Sequence, residues 1–302
     1  MKILIIGVNG FLGNQLREKF ELTNDCYGAD IQIDSLNKSY YNLNIDSPNY
    51  LDVFLDRQFD VCINASGSAN VGISIKNPLY DAQLNTINVY KMLDAIRKTQ
   101  ERCKFIQISS AAVYGNPIKL PVKEEDRLNP ISPYGYNKKC AEEICKMYHS
   151  IYNIDIYIVR PFSIYGVGQK KMLLWDLVCK FVKDDTVLLS GTGDETRDYI
   201  HVNDFIQGMN ILISEEKSLC EYKAYNIANG KQIKIKKLAE LVKKSICSNK
   251  EIIFTKNNRA GDPLYWEADI SRIRELGYVQ DVPVEKGINE YVNWAKGEIE
   301  NT

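Results

Sequence analysis

Tyr134 and Lys138 are four residues apart in Tyr134-Gly-Tyr-Asn-Lys138, so on a helix they share one face. A Lys ammonium beside a Tyr oxygen favours the phenolate and draws the phenol toward acid–base work near neutral pH. In a chain with 19 Tyr the spacing also arises by chance, so its position has to carry it. It follows Ile108-Ser109-Ser110-Ala111-Ala112-Val113-Tyr114-Gly115, which puts hydroxyls at the end of the apolar run Lys104–Ser109. Polar groups at the C-terminal end of a parallel strand sit where open α/β sheets bind ligands. An ordinary serine-rich strand end would read the same way. A third spacing is Gly7-Val-Asn-Gly10-Phe11-Leu12-Gly13, directly after an apolar strand and opening a helix. Glycines there let the backbone turn tightly and approach a pyrophosphate, with the free N–H groups of the helix facing the negative charge. Asp30 ends the next strand 17 residues after Gly13. A carboxylate there can hydrogen-bond the ribose hydroxyls of NAD and repel the 2′-phosphate of NADP. A plain strand–helix turn followed by a surface Asp is the bland alternative.

The elements that must position these residues alternate. Lys2–Ile6 is apolar without alternation, as expected of a strand buried on both faces. Helical periodicity follows over Phe11–Phe20, then a short strand Cys26–Ala29, a short helix Leu51–Leu55 and a strand Asp60–Asn64. Pro78 opens a long helix with Leu84, Ile87, Met92, Leu93 and Ile96 on one face. A strand Lys104–Ser109, a long helix Tyr134–Tyr152 and a strand Asp155–Arg160 complete the first half. Strands alternating with helices mean βαβ units, so the fold class is α/β, a Rossmann-type doubly wound parallel sheet. Beyond Pro161 the pattern loosens into helices Leu173–Lys183 and Lys236–Cys247 and a strand Ile252–Thr255. We therefore expect a sheet domain over 1–165, with a return near 199–228 where Tyr225–Ala228 rejoins the sheet. A smaller, discontinuous α/β substrate-binding part takes up most of 166–302.

Composition excludes other classes. With 302 residues the chain can bury a sizeable core without staples. A net charge of −1 argues against a nucleic-acid binder that works by phosphate neutralisation. No apolar run approaches the roughly 20 residues of a membrane helix. The eight Cys form no CxxC pair and there are two His, which argues against a Cys/His metal site. Scattered Cys on apolar segments read as reduced core residues of a cytoplasmic protein.

With these residues in order, the chain resembles the extended short-chain dehydrogenase/reductases of the nucleotide-sugar epimerase/dehydratase family, close in pattern to UDP-galactose 4-epimerases. The resemblance runs over nearly the whole chain: Gly7–Gly13, Asp30, Ser109–Gly115, Ser132–Lys138, Arg160–Gly166, Gly193–Asp204 and Arg259–Pro263. It implies NAD as cofactor, a nucleotide-diphosphate sugar as substrate and a homodimer formed through the helices near 80–98 and 134–152. It implies Tyr134 as catalytic acid/base, Lys138 as its partner and a hold on the nicotinamide ribose, and Ser110 as the catalytic hydroxyl that also meets the sugar. Gly7, Gly10, Phe11, Leu12, Gly13, Asp30, Ile31, Asn44, Ile45, Ala65, Ser66, Gly67 and Phe162 would line the cofactor, Asn44 standing where the family has Asp beside the adenine. Ser163, Arg197 and Arg259 would meet the sugar nucleotide, the two Arg gripping its diphosphate. A residue shortly after Arg259-Ala-Gly-Asp262 would gate the sugar at C2; ungapped counting gives Trp266, and a slip of one gives Tyr265.

The departures narrow the reaction. Family dehydratases need an Asp-Glu pair after the catalytic hydroxyl, and other relatives a Glu or Cys at the second place; here both are Ala, Ala111 and Ala112. What the resemblance leaves is redox chemistry at one carbinol, a 4-epimerase. A 4-reductase or 4-dehydrogenase uses the same trio and stays open as the alternative. A non-catalytic dinucleotide-binding regulator is the reading from another class, disfavoured because Ser110, Tyr134 and Lys138 are all kept.

Overall fold

The structure, a computed structural model, describes residues 1–34, 38–45, 47–100, 102–215, 222–257 and 259–301. It divides into two compact units. The first comprises 1–115, 127–161 and 208–225, the second 116–126, 162–207 and 226–302.

The first unit begins β1 (Lys2–Ile6), α1 (Phe11–Phe20), β2 (Asp25–Asp30), β3 (Tyr40–Asn42), α2 (Tyr50–Asp56) and β4 (Val61–Asn64). Next come α3 (Val71–Lys76), α4 (Pro78–Ala82), a wide π-turn over Gln83–Ile87, and α5 (Asn88–Thr99). β5 (Lys104–Ile108), a 3₁₀ turn (Ala111–Tyr114), α6 (Pro133–Tyr152) and β6 (Ile156–Pro161) follow. The sheet order is β10-β6-β5-β4-β1-β2-β3, where β10 is Tyr222–Ile227. The pairs from β3 to β6 are parallel. This is the 3-2-1-4-5-6 order of a doubly wound sheet, with its reversal between β1 and β4. Alternation within β1 explains why both faces must be covered. Leu4 and Ile6 join a core with Tyr50, Val53 and Phe54 of α2 and Val89, Met92, Leu93 and Ile96 of α5, while Ile3 and Ile5 are buried on the opposite face. The helix expected from Pro78 is present, with Pro78 in its first turn and Asn77 as its side-chain cap, but the π-turn interrupts it.

The second unit holds β7 (Ser163–Tyr165), α7 (Met172–Lys183), β8 (Val187–Leu189) and β9 (Thr196–His201). α8 (Val202–Ser214) runs on into the first unit. β11 (Gln232–Lys234), α9 (Ile235–Ile246), β12 (Ile252–Phe254), α10 (Ser271–Glu275) and α11 (Val284–Glu300) complete it. β11, β9 and β7 form one small sheet, β12 and β8 another. Leu174, Leu177, Val178 and Phe181 of α7 pack with Leu238 and Val242 of α9 and Ile288, Tyr291, Val292 and Ala295 of α11. The sequence reading did not foresee α11, which carries Gly287 in its first turns and Gly297 near its end. Packing explains the first: a Cβ on Gly287 would lie 2.4 Å from the Tyr165 hydroxyl.

Every described cysteine is a free thiol. The expectation that all lie in the core is corrected: Cys140 and Cys247 are exposed, Cys140 on the solvent side of α6 and Cys247 as the left-handed cap of α9. Cys220 falls outside the described residues. No described helix is long and apolar enough to cross a membrane, and the described residues contain no His/Cys/Asp/Glu group that could hold a metal ion.

Candidate active site

The glycine turn after β1 is built for close approach. Gly7 has φ +84°, and a Cβ there would sit 2.7 Å from Ser66 Cα. A Cβ on Gly13 would lie 2.1 Å from the Gly7 carbonyl oxygen, so α1 packs directly on the turn. Gly10 caps α1 with extended backbone and no side-chain partner, leaving the N–H groups of the first turn unfilled by protein side chains. Phe11 and Leu12 open that turn and are partly buried. Asp30 is fixed at the end of β2: its Oδ2 accepts the Asn9 N–H at 2.9 Å and its Oδ1 the Ile31 N–H at 2.7 Å. Ile31 and Ile45 are exposed apolar side chains near the ends of β2 and β3. The Asn44 Oδ1 accepts the Ser47 N–H at 3.2 Å, closing a local turn.

After β4, Ala65 takes the next ladder position by donating to the Ile6 carbonyl at 2.9 Å, and the Ser66 hydroxyl donates to Asn64 Oδ1 at 2.6 Å. Gly67 has φ +106°, and a Cβ there would meet Asn85 Oδ1 at 2.4 Å. That Asn85 oxygen is buried and has no hydrogen-bond partner. A buried unpaired acceptor beside a bare glycine backbone is a place for a ligand donor.

Ser110 caps the 3₁₀ turn, its Oγ accepting the Ala112 N–H at 3.1 Å, and it is also hydrogen-bonded to the Tyr134 side chain. Ser132 caps α6, and the Tyr134 N–H donates to Ser74 Oγ at 3.1 Å, so the start of this helix is pinned. Lys138 lies one turn on, its Nζ donating to the Ile108 carbonyl at 3.1 Å and sitting 5.9 Å from the Tyr134 ring centroid. The expected electrostatics are corrected here. Tyr134 is pushed up to about 12, because burial outweighs its hydrogen bond from Ser110. Lys138 is drawn down to about 8, because burial outweighs the attraction of Asp81 and Glu142. The chain alone therefore holds a neutral phenol beside an ammonium that is easily discharged.

The second unit gathers its own cluster. Trp266 is buried, its ring edge-on to Phe162 with centroids 5.8 Å apart, and the Arg197 guanidinium lies 5.4 Å from its ring centroid. Phe162 belongs to the second unit and packs edge-on against Trp266. Arg197 also donates to the Thr196 carbonyl at 2.8 Å, and burial lowers its pKa. Arg259 is exposed and donates to Ser190 Oγ at 3.2 Å; Ser163 opens β7 and is partly buried. Tyr265 is half exposed, so the buried member of the pair is Trp266. The segment carrying Trp266 is sewn to β9: the Trp266 N–H donates to Thr196 Oγ1 at 3.2 Å and the Ala268 N–H to Asp198 Oδ2 at 3.0 Å.

The profile of the NAD dependent epimerase/dehydratase family matches residues 3–228. The chain belongs to this family. It is 30% identical to the putative UDP-glucose 4-epimerase of Methanocaldococcus jannaschii, over 97% of this chain and 98% of that one. It is 26% identical to the UDP-glucuronate 4-epimerase of Thermodesulfobacterium geofontis, over 98% and 97%. Among solved structures it is similar to UDP-glucuronic acid 4-epimerase from Bacillus cereus, in complex with UDP-glucuronic acid and NAD. That match has a TM-score of 0.90 and 26% identity, covering 99% of this chain and 100% of the other.

This epimerase/dehydratase-family chain fits NAD by its own geometry: the cradle at Gly7, Gly10 and Gly13, the anchored Asp30 carboxylate, and the unpaired Asn85 oxygen at Gly67. Several polar residues behind the trio escaped the sequence reading. Glu142 accepts from Ser109 Oγ at 2.5 Å and from Arg160 at 3.0 and 2.7 Å, and Arg160 donates to the Tyr114 hydroxyl at 2.8 Å. This buried fork ties β5, the 3₁₀ turn, α6 and β6 together. The buried Asp81 and Asn85 and the partly buried Asn137 form a second polar group. Glu142 stands one turn past Lys138, the only sequence signal among them; the rest meet only through tertiary contacts.

Proposed function

We propose that this enzyme interconverts UDP-sugars that differ in configuration at C4, with NAD as its resident cofactor. The observation that carries this reading is the trio Ser110, Tyr134 and Lys138, with the inert Ala111 and Ala112 next to Ser110 on the 3₁₀ turn and the Tyr114 hydroxyl of that turn already bonded to Arg160. Chemistry limited to one carbinol follows. Gly7, Gly10, Gly13 and Asp30 would hold the dinucleotide with Phe11, Leu12, Ile31, Asn44, Ile45, Ala65, Ser66 and Gly67, and Lys138 its nicotinamide ribose. Bound NAD supplies hydride acceptance and return at C4. Tyr134, oriented by Ser110, takes the C4 hydroxyl proton in its phenolate form as that carbon is oxidised and, as the phenol so formed, gives it back when the carbon is reduced. Lys138 stabilises the phenolate while it exists. Burial of Tyr134 and Lys138 limits the access of water, which keeps the keto sugar from being lost to side reactions.

Arg197 and Arg259 hold the diphosphate, and a planar guanidinium suits that geometry. Stacking on Trp266 preorganises Arg197 for it. Ser163 meets the sugar nucleotide. Trp266 limits the room at C2, so plain hexose and hexuronate nucleotides turn over and N-acetylhexosamine nucleotides are poor substrates. We infer a homodimer through α5 and α6, supported by the exposed Tyr90 and Tyr152, which pack on either side of the buried Tyr148 with centroids 6.1 and 5.2 Å away. We also place its work in the cytoplasm, supported by the free thiols.

The deciding experiment incubates the enzyme with UDP-glucose, UDP-galactose, UDP-glucuronate and UDP-N-acetylglucosamine and follows the products by NMR. Inversion at C4 with no net change in the absorbance of reduced cofactor is the expected result. Stoichiometric net oxidation or reduction would assign a dehydrogenase or reductase instead. Light scattering on the eluted enzyme checks the dimer.

A further inference from the structure

Asp81 of α4 is 1% exposed. Its Oδ1 accepts Asn85 Nδ2 at 3.0 Å and its Oδ2 accepts Asn137 Nδ2 at 2.7 Å. Burying a carboxylate costs free energy that a neutral side chain would avoid, so a charge at this place calls for a partner charge. No ion pair among the described residues uses Asp81. The cation it faces is Lys138. The charged and titratable groups around Lys138 are Asp81 from α4 and Tyr134, Glu142 and Cys145 from its own helix; those around Tyr134 are Asp81 and Lys138, with Ser110 as its hydrogen-bond partner. Glu142 is already committed to Arg160 through two bonds. That leaves Asp81 as the carboxylate not cancelled by an ion pair of its own.

Its two amide partners place it mechanically as well. Asn137 lies between Tyr134 and Lys138 in α6, and its carbonyl accepts the Thr86 hydroxyl at 3.0 Å. Asn85 and Thr86 both belong to the π-turn. The carboxylate and that hydroxyl therefore lock the π-turn to the turn of α6 that carries the trio.

We propose that Asp81 is a positioning residue of this active site: through Asn85 and Asn137 it fixes the π-turn against α6, and it supplies the negative charge that faces Lys138. This rests on Tyr134 and Lys138 being the acid–base pair of the reading above. Asp81→Asn removes the charge and keeps the shape; Asn137→Ala removes one hydrogen bond and keeps the charge.

Two readouts test this. The first is the titration of Lys138 in the purified protein, followed by NMR of ¹³C-labelled lysine and assigned by its loss in Lys138→Met. The midpoint near 8 falls to about 7 in Asp81→Asn, as expected when a nearby opposite charge is lost, and stays in place in Asn137→Ala. The second is the pH dependence of turnover. Both limbs move to lower pH in Asp81→Asn, because Asp81 raises Lys138 and Tyr134 alike; in Asn137→Ala turnover drops at every pH without a move. An unmoved Lys138 midpoint in Asp81→Asn, or the same pH-independent loss in both variants, overturns the proposal. If Asp81→Asn does not fold, Asp81→Glu keeps the charge and must keep the midpoint; a fall to about 7 there also overturns it. The titration needs no substrate, so absence of turnover on UDP-sugars by the wild-type enzyme counts against the proposed function, and an unmoved midpoint counts against Asp81.

Discussion

The two units hold their functional residues in different ways. The first places them with backbone: a glycine turn too tight for any Cβ, a strand end, and a helix start pinned by caps. The second places them with side chains: Arg197 lies on Trp266, Trp266 on Phe162, and the strand behind them is tied to the Trp266 segment by Thr196 and Asp198. Backbone placement gives a site that serves one reaction and one cofactor. Placement by stacked side chains gives a surface whose shape can be changed at one residue while the chemistry stays intact. Substitutions in the first unit should therefore act on turnover or on the cofactor, and those in the second on binding of the sugar nucleotide.

The largest effect belongs to Tyr134→Phe. It keeps the backbone bond to Ser74 and removes only the oxygen, so folding and cofactor binding stay while kcat falls by about 10²–10⁴-fold. Rapid-quench turnover with bound cofactor checks it, and full activity would break the assignment of chemistry to the first unit.

Arg197→Ala is next. Hydrogen bonds to charged groups contribute about 1.5–3 kcal/mol, so KM for the sugar nucleotide should rise about 10- to 100-fold with kcat nearly unchanged. Arg197→Lys should not restore it, since an ammonium has neither the fork nor the flat face that lies on Trp266. Trp266→Gly would disturb Arg197 as well as any gate at C2, so Trp266→Tyr, which keeps an aromatic face, separates the two. A loss confined to kcat in Arg197→Ala would blur the division between units.

Asp30→Ser should lower discrimination against NADP by about 10-fold, read as the ratio of the two dissociation constants. The effect is bounded because Asp30 also accepts the Asn9 and Ile31 N–H groups, so part of any loss reflects a loosened glycine turn. Equal affinity for the two cofactors already in the wild type would show that Asp30 only closes that turn.

The smallest effect is on stability and belongs to the second unit. Burial holds Asp198 at about 7 against its usual 3.8, despite three backbone N–H donors. The folded chain thus keeps a proton that the unfolded chain releases. The stability from that proton is complete below about 4 and is lost as pH rises through about 7. Calorimetry across that range should show Tm declining with pH, and Asp198→Asn should flatten the slope. An unchanged slope would mean that Asp198 does not set the pH response of this unit.

Local pattern made the first unit legible. The turn from Gly7 to Gly13 needs only its own residues and the strand before it, and Tyr134 and Lys138 meet through helix geometry alone. The same local signal marks α1, whose bounds Phe11–Phe20 match the periodicity. It could not show that the helix after Pro78 widens into a π-turn, because that turn is held from outside by Asn137. Nor could it foresee that Tyr134 would be raised, since a Lys four residues away counts for less than the burial of both groups.

By itself, the sequence determined the alternating strands and helices, the glycine cradle and the shared helix face of Tyr134 and Lys138, because each rests on spacings of a few residues that the backbone converts directly into shape. Only the tertiary structure decided that 116–126 and 226–302 belong together, that Arg197 rests on Trp266, that Glu142 is committed to Arg160, and that Asp81 bonds Asn137 of α6. Those are meetings of residues 18 or more positions apart in the chain. Burial gives them their strength, and burial is a property of the packed molecule that no short stretch of sequence contains.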